Sequence, residues 1–291
     1  MSRPWFNRVY NPMTAFRVYA DGKEITDEFL LRELREEEVG VFETMRLYDG
    51  RVFCEHEHLR RFLESAKTVG CPFQLEYGDL KKELRKAVDF SAQKDGIVRL
   101  TLVGNRLFVI MRGRKFSEAP YRKGIALRTS PVRRVLSNAA FPEAKSSAYQ
   151  NAWMASLERG VKGDATEWLF LDVNGYVTET RTANIFIVME NHQTHKKELV
   201  TPPALGVLNG VTRRFVIKCA VEIGMAVVEK FLTRHDAFNA AEIFLTNTSW
   251  EILPVRNLDG RQIGTRVPGP QTIKLCQIFK RKVVRECQTR S

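Results

Sequence analysis

Cysteine is scarce and dispersed in this 291-residue chain: Cys54, Cys71, Cys219, Cys276 and Cys287 number 5, and no two form a CxxC pair. An odd, scattered set supplies neither a disulfide framework nor a zinc site, so reduced thiols are expected. Long apolar runs are missing too. No stretch approaches the roughly 20 residues that span a bilayer, and the opening MSRPWFNRVYNP has no apolar core of signal-peptide length. A cytoplasmic chain without a membrane partner is the expectation. Also absent are GxGxxG, GxxxxGK[ST] and GxSxG, the markers of dinucleotide, P-loop and hydrolase-elbow chemistry. Acidic residues are outnumbered, 34 against 46 Lys and Arg, for a net charge of +12. Such a balance attracts phosphates or small anions. The cations stand in short groups, Arg112 to Lys115, Arg133-Arg134 and Lys280 to Lys282, without the interleaved aromatics or finger spacing of recognition modules. No nucleic-acid partner is expected.

What remains is an ordinary globular composition, 44% hydrophobic and 27% charged. The length predicts two domains, residues 1–119 and 125–291. A linker is expected at 120–124, because Glu118 to Lys123 carries Pro120 and charge without periodicity. Val41 to Tyr48, Asp49-Gly50 and Arg51 to Cys54 read as a hairpin, with Phe42, Thr44 and Arg46 on one face. Leu59, Phe62, Leu63, Ala66 and Val69 recur at helical spacing, and Gly70 stands where a left-handed cap belongs. Ile97 to Val103 alternates, so Arg99 and Thr101 point away from its apolar side; Leu107 to Met111 is its partner.

In the second half Ile125 to Ser130 reads as a strand, and a helix follows Lys145 to near Gly160. Trp168 to Val173 and Tyr176 to Glu179 flank Asn174-Gly175 as a hairpin, and Asn184 to Met189 is a buried strand. Val211 to Ile223 is a helix introduced by Asn209-Gly210. Glu242 to Thr246, a strand reaching Val255, a turn at Asp259-Gly260 and a helix from about Gln271 close the chain. Hairpins interspersed with helices predict the α+β class rather than a doubly wound parallel sheet.

Few residues stand out chemically. His56 and His58 flank Glu57, but i and i+2 on a helix lie on different faces, so they are read as solvated side chains and no metal site is expected. Lys145, set between Ala144 and Ser146, is different. A partly desolvated lysine amine can form a Schiff base with pyridoxal phosphate. That cofactor needs a carboxylate beside its ring nitrogen, which Glu179 could supply. Its phosphate needs backbone N–H groups at a helix N-terminus, and Gly210-Val211-Thr212 opens a helix.

The order of these elements adds what spacing cannot. The run Lys145, Tyr149, Glu158, Gly160, Leu171-Asp172, Gly175-Tyr176-Val177-Thr178-Glu179 and Asn184-Ile185-Phe186 resembles the signature of the class IV, or fold type IV, pyridoxal-phosphate aminotransferases. Four further blocks keep the family's order: Gly40-Val41-Phe42-Glu43 with Arg46, Glu57 to Arg61 with Ser65-Ala66, Leu208 to Arg213, and Glu242 to Thr248 with Glu251 and Pro254-Val255. The resemblance implies a two-domain α+β fold like that of the D-amino-acid aminotransferases, with the cofactor at the domain interface, and a homodimer. It makes Lys145 the Schiff-base lysine and proton shuttle, and Glu179 the partner of the pyridine nitrogen. Arg61, Val211, Thr212 and Thr248 become the phosphate cup; only the motif register selects Arg61 over Arg60. Tyr149 matches an active-site tyrosine of some members. The implied reaction passes an amino group from an amino acid to a 2-oxo acid such as 2-oxoglutarate or pyruvate.

Three departures bear on substrate. Phe42 stands where many D-amino-acid enzymes carry a tyrosine, the short Gly104-Asn105-Arg106 connection lacks their arginine and histidine, and Thr180-Arg181 replaces the usual small pair after the carboxylate. Arg181 and Arg99 together are expected to receive the substrate carboxylate, a guanidinium fork matching it in two hydrogen bonds, with Trp250 adding bulk to the substrate side. A D-amino-acid:2-oxoglutarate transaminase is the first expectation, ahead of aminodeoxychorismate lyase and branched-chain transaminase. The alternative from another class is a non-enzymatic basic binding protein on a degenerate fold.

Overall fold

The computed structural model describes residues 16–20, 23–24, 40–71, 76–103, 106–113, 117–134, 144–146, 167–191 and 193–288. Tyr149, the helix expected after Lys145 and the Gly104-Asn105 turn lie outside them. By their contacts the residues form two units. The first comprises the described residues of Met1–Phe116 and Ala144–Ser147, the second those of Ser117–Glu143 and Ala148–Gln288. Among the described residues no helix is long and apolar enough to cross a membrane.

The first unit is an antiparallel sheet with two helices. Its strands are β1 (Phe16–Ala20), β2 (Lys23–Glu24), β3 (Val41–Tyr48), β4 (Arg51–Val52), β5 (Gly96–Val103) and β6 (Arg106–Gly113), in the order β2-β1-β6-β5-β3-β4. Asp49 and Gly50 both take positive φ, 46° and 76°, as the tight turn between β3 and β4 requires. The helices are α1 (Glu55–Thr68) and α2 (Tyr77–Ser91). Leu59 and Phe62 of α1 and Leu80 and Leu84 of α2 pack with Met45, Val98, Leu100 and Met111 of the sheet. Removing these apolar faces from water is the main force closing the unit. Alternation leaves the opposite face to Phe42, Thr44, Arg99 and Thr101, all partly exposed.

The stretch expected as a linker forms a short helix, α3 (Ala119–Lys123). Pro120 sits in its first turn, where the missing N–H costs nothing, so the proline starts a helix rather than breaking one. The rest of the second unit comprises β7 (Ile125–Arg134), β8 (Glu167–Asp172), β9 (Val177–Thr180), β10 (Asn184–Glu190), β11 (Lys197–Thr201), α4 (Val211–Glu222), β12 (Ala226–Glu229), α5 (Arg234–Phe238), β13 (Glu242–Asn247), β14 (Glu251–Leu258), β15 (Arg261–Gln262) and α6 (Pro270–Gln288). The sheet runs β12-β11-β10-β13-β14-β7-β8-β9, with β15 beside β14. β7 lies parallel to both β8 and β14, so the sheet is mixed. β9 also pairs back onto β10, through Glu179 opposite Asn184, and closes a ring of six strands. Ile185, Ile187, Leu169, Leu171, Leu245 and Leu253 fill its core.

Candidate active site

In the first unit the family-motif residues gather around the start of β3. The main chain of Lys145 is pinned there from two sides. Its N–H donates to Ser65 Oγ at 3.0 Å, and its carbonyl accepts from the Phe42 N–H at 3.0 Å. Ser146 bridges Val41, and Ala144 and Ser146 are buried. The Lys145 Nζ lies 4.8 Å from the centre of the Phe42 ring, and the Arg99 guanidinium carbon lies 4.0 Å from that same centre. Phe42, Arg99 and Lys145 are therefore brought together, two cations on one aromatic ring.

Beneath them is a group whose importance sequence reading did not reveal. Glu43 is 0% exposed on the apolar face of β3. It accepts from Arg61 through Nε at 2.6 Å and Nη2 at 2.9 Å, and contacts His58 Nδ1 at 2.7 Å. Burial pushes the Glu43 carboxyl up, yet Arg61 and His58 overcome that and hold it well below the usual carboxylate range. Burial likewise pushes His58 down, and Arg61 and Lys145 add to that against the pull of Glu43. The solvated reading of His58 is thus corrected: it faces the core because Glu43 waits there. Arg61 is buried while Arg60 is exposed beside Glu64. The signal was an acidic residue at an inward position of an alternating strand.

In the second unit Glu179 is nearly buried on β9. It is paired with Arg134 of β7, accepts from Asn184 Nδ2 at 2.8 Å, and accepts from the Leu208 N–H at 3.2 Å. Asn184 also donates to the Leu208 carbonyl at 2.8 Å. Sequence reading assigned no role to Arg134 or Asn184; it is the closure of β9 on β10 and the parallel placement of β7 that bring them to Glu179. Arg181 lies on the turn after β9, its Nη2 3.5 Å from Glu167 Oε1. Glu167 is buried, and burial raises its carboxyl despite Arg181. Thr248 and Trp250 occupy the β13–β14 turn, where the Trp250 N–H donates to Asn247 Oδ1 at 2.7 Å and Asn247 Nδ2 donates to the Thr182 carbonyl at 3.2 Å.

Val211 and Thr212 open α4, both buried. That helix has no side-chain cap and no acidic residue in its first turn. The contrast with α6 is direct: there Glu242 accepts from the Gln271 and Thr272 N–H groups at 2.9 and 2.8 Å. One helix start is capped by a carboxylate and the other has neither a side-chain cap nor an acid in its first turn. A Cβ on Gly210 would come within 2.2 Å of Asn184 Oδ1, so any larger residue where α4 begins would have to displace that side chain or the first turn.

The family model for class IV amino-transferases matches residues 40–258, from the strand carrying Phe42 and Glu43 to the end of β14. The chain belongs to the class IV aminotransferases. This aminotransferase is 32% identical over 261 residues to a branched-chain-amino-acid aminotransferase of Pseudomonas aeruginosa, covering 83% of each chain. It is 26% identical over 275 residues to a D-alanine aminotransferase of Bacillus licheniformis, covering 85% of this chain and 88% of the other. Among solved structures it resembles the branched-chain amino acid aminotransferase of Escherichia coli, with a TM-score of 0.80 and 27% identity over 91% of this chain and 93% of that one. The fold is the α+β fold type IV, and the enzyme depends on pyridoxal phosphate. Its residues fit that group. The start of α4 offers N–H groups with no acid among them, Thr246 Oγ1 is buried without a hydrogen-bond partner among the described residues, and Lys145 offers an amine half-shielded by an aromatic ring.

Proposed function

We propose that this aminotransferase moves amino groups between an amino acid with an apolar side chain, of the branched-chain class, and a 2-oxo acid such as 2-oxoglutarate. The observation that carries the reading is the pair of cations on Phe42: an amine able to move a proton and a guanidinium able to hold a carboxylate share one apolar platform. Pyridoxal phosphate, when bound, supplies an electron-withdrawing ring that stabilises negative charge at the substrate α-carbon. Lys145 holds the cofactor covalently and moves the proton at that carbon. Glu179, itself oriented by Arg134 and Asn184, keeps the ring nitrogen protonated. Val211 and Thr212 hold the phosphate through the uncapped helix start, with Thr248 and Arg61. Arg99 receives the substrate carboxylate. Arg181 is engaged by Glu167, so its part in this proposal is to hold the turn after Glu179. Phe42 and Trp250 give the substrate side chain apolar surroundings, and Tyr149 is kept as a substrate-side residue on the family motif alone.

The greater identity to the P. aeruginosa branched-chain enzyme supports the branched-chain reading. The match to the D-alanine enzyme supports a second one, in which the donor is a D-amino acid. The homodimer of the family completes the proposal, and light scattering on purified protein measures it. The deciding experiment presents L-leucine, L-valine and D-alanine in parallel with 2-oxoglutarate. Glutamate formed fastest with L-leucine or L-valine is the expected result. Turnover of D-alanine alone establishes the second reading, and an enzyme that turns over none of them overturns both.

A further inference from the structure

A groove of about 410 Å³ in the second unit gathers four arginines: Arg128 and Arg133 from β7, Arg234 from α5 and Arg261 from β15. Arg134 is buried against Glu179, whereas its neighbour Arg133 is exposed and lines the groove. The groove's single carboxylate, Asp259, is occupied as a brace. Its two oxygens accept from the Thr129 N–H at 2.6 Å and the Thr129 hydroxyl at 2.7 Å, and its own N–H donates to the Leu127 carbonyl at 3.0 Å. These bonds fasten the β14–β15 turn to β7 and fix the positions from which Arg128 and Arg261 project. Arg234 stands 3.6 Å from Asp259. Arg261 and Arg234 also lie over the Phe238 ring, at 4.5 and 5.9 Å. Arg128 and Arg133 have no ion-pair partner among the described residues, so the groove holds four positive charges against one already engaged.

We propose that this groove is a binding site for an oligophosphate, the phosphate chain of a nucleotide or inorganic triphosphate. Guanidinium forks match phosphate oxygens in pairs, and a cleft lined by one sign of charge concentrates the opposite ion. The volume is that of a single small ligand. No aromatic lines the groove among the described residues, and the nearby Phe238 already carries two arginines, which leaves it poorly placed for the base stacking that single-stranded nucleic acid uses.

The test uses enzyme saturated with pyridoxal phosphate, so that the cofactor's own phosphate site is closed to competitors. Calorimetric titration with inorganic triphosphate at about 0.1 M salt is expected to show one saturable site per chain, with orthophosphate much weaker. Affinity falls roughly ten-fold or more in the Arg128→Gln/Arg133→Gln variant, through the loss of two charge-assisted contacts. Its transaminase rate and cofactor absorbance stay as in the parent. The single Arg133→Gln variant, altered only at an exposed side chain, loses part of the affinity at an unchanged melting temperature and separates charge loss from misfolding. ATP bound more tightly than triphosphate identifies a nucleotide source; equal affinity identifies the phosphate chain alone. Absence of saturable binding, equal affinity in the double variant, or tighter binding of a short single-stranded RNA overturns the proposal.

Discussion

Glu43 shows how one side chain can serve stability and site at once. It is fully buried and neutralises Arg61 in a two-point pair. Glu43→Gln leaves the guanidinium buried without its counter-charge, a loss of about 3–5 kcal/mol, read as a lower urea midpoint together with weaker pyridoxal-phosphate binding. The carboxyl is held below its unfolded value, so its contribution is full above about pH 4 and drains away as the pH falls further. The variant should therefore lose less stability than the parent on acidification below that point. Glu167 has the opposite sign. Burial raises it, so its contribution is greatest below about pH 4 and declines as the pH climbs through the raised value. Glu167→Gln is expected to flatten the fall in melting temperature between acid and neutral pH. Arg181→Ala, which removes the partner, steepens that fall and leaves the KM for amino acids little changed if Arg99 holds the carboxylate; a large rise in KM would restore Arg181 to that role.

At the scale of the element, the start of α4 is the sensitive point. Gly210 touches Asn184, and Asn184 in turn donates to Glu179. Gly210→Ala has no room at 2.2 Å, so either Asn184 swings off Glu179 or the first turn of α4 shifts. Both outcomes weaken cofactor binding, measured as a higher dissociation constant for pyridoxal phosphate from quenching of protein fluorescence. The change acts on two elements through one methyl group. The same substitution at Gly175, where nothing lies within 4 Å but φ is +86°, strains only a turn and should leave cofactor affinity alone. A variant at Gly210 that binds the cofactor normally would remove α4 from the proposed phosphate site.

For the whole molecule, cofactor and stability are linked. A ligand that binds only the folded chain raises its stability by about 2.7 kcal/mol at a free concentration of 100 times its dissociation constant. Removing pyridoxal phosphate is therefore expected to lower the melting temperature, and adding it back to restore the loss in proportion to the logarithm of its concentration. Lys145→Ala separates the covalent share: it keeps the phosphate-dependent part of the shift and loses all transamination. A melting temperature indifferent to the cofactor would count against every residue placed on it here.

Much of this protein was legible in one dimension because local physics is local. Asp49-Gly50 turned the chain because few other pairs accept two positive φ angles, and the helix of α4 followed from its apolar spacing. The order of short motifs around Lys145, Glu179 and Gly210 was enough to indicate the family. Partners across the fold were not legible. Arg134 reaches Glu179 only because β7 runs parallel to β8, and Asn184 only because β9 closes onto β10. That the stretch around Pro120 would coil into a short helix was not legible either, since a proline in the first turn costs no hydrogen bond. Arg181 could be named from the sequence, but its engagement with Glu167 could not. Sequence alone determined which chemical groups exist and in what order; the tertiary structure decided which charge neutralises which, because pairing depends on distances that strand topology sets and chain separation does not.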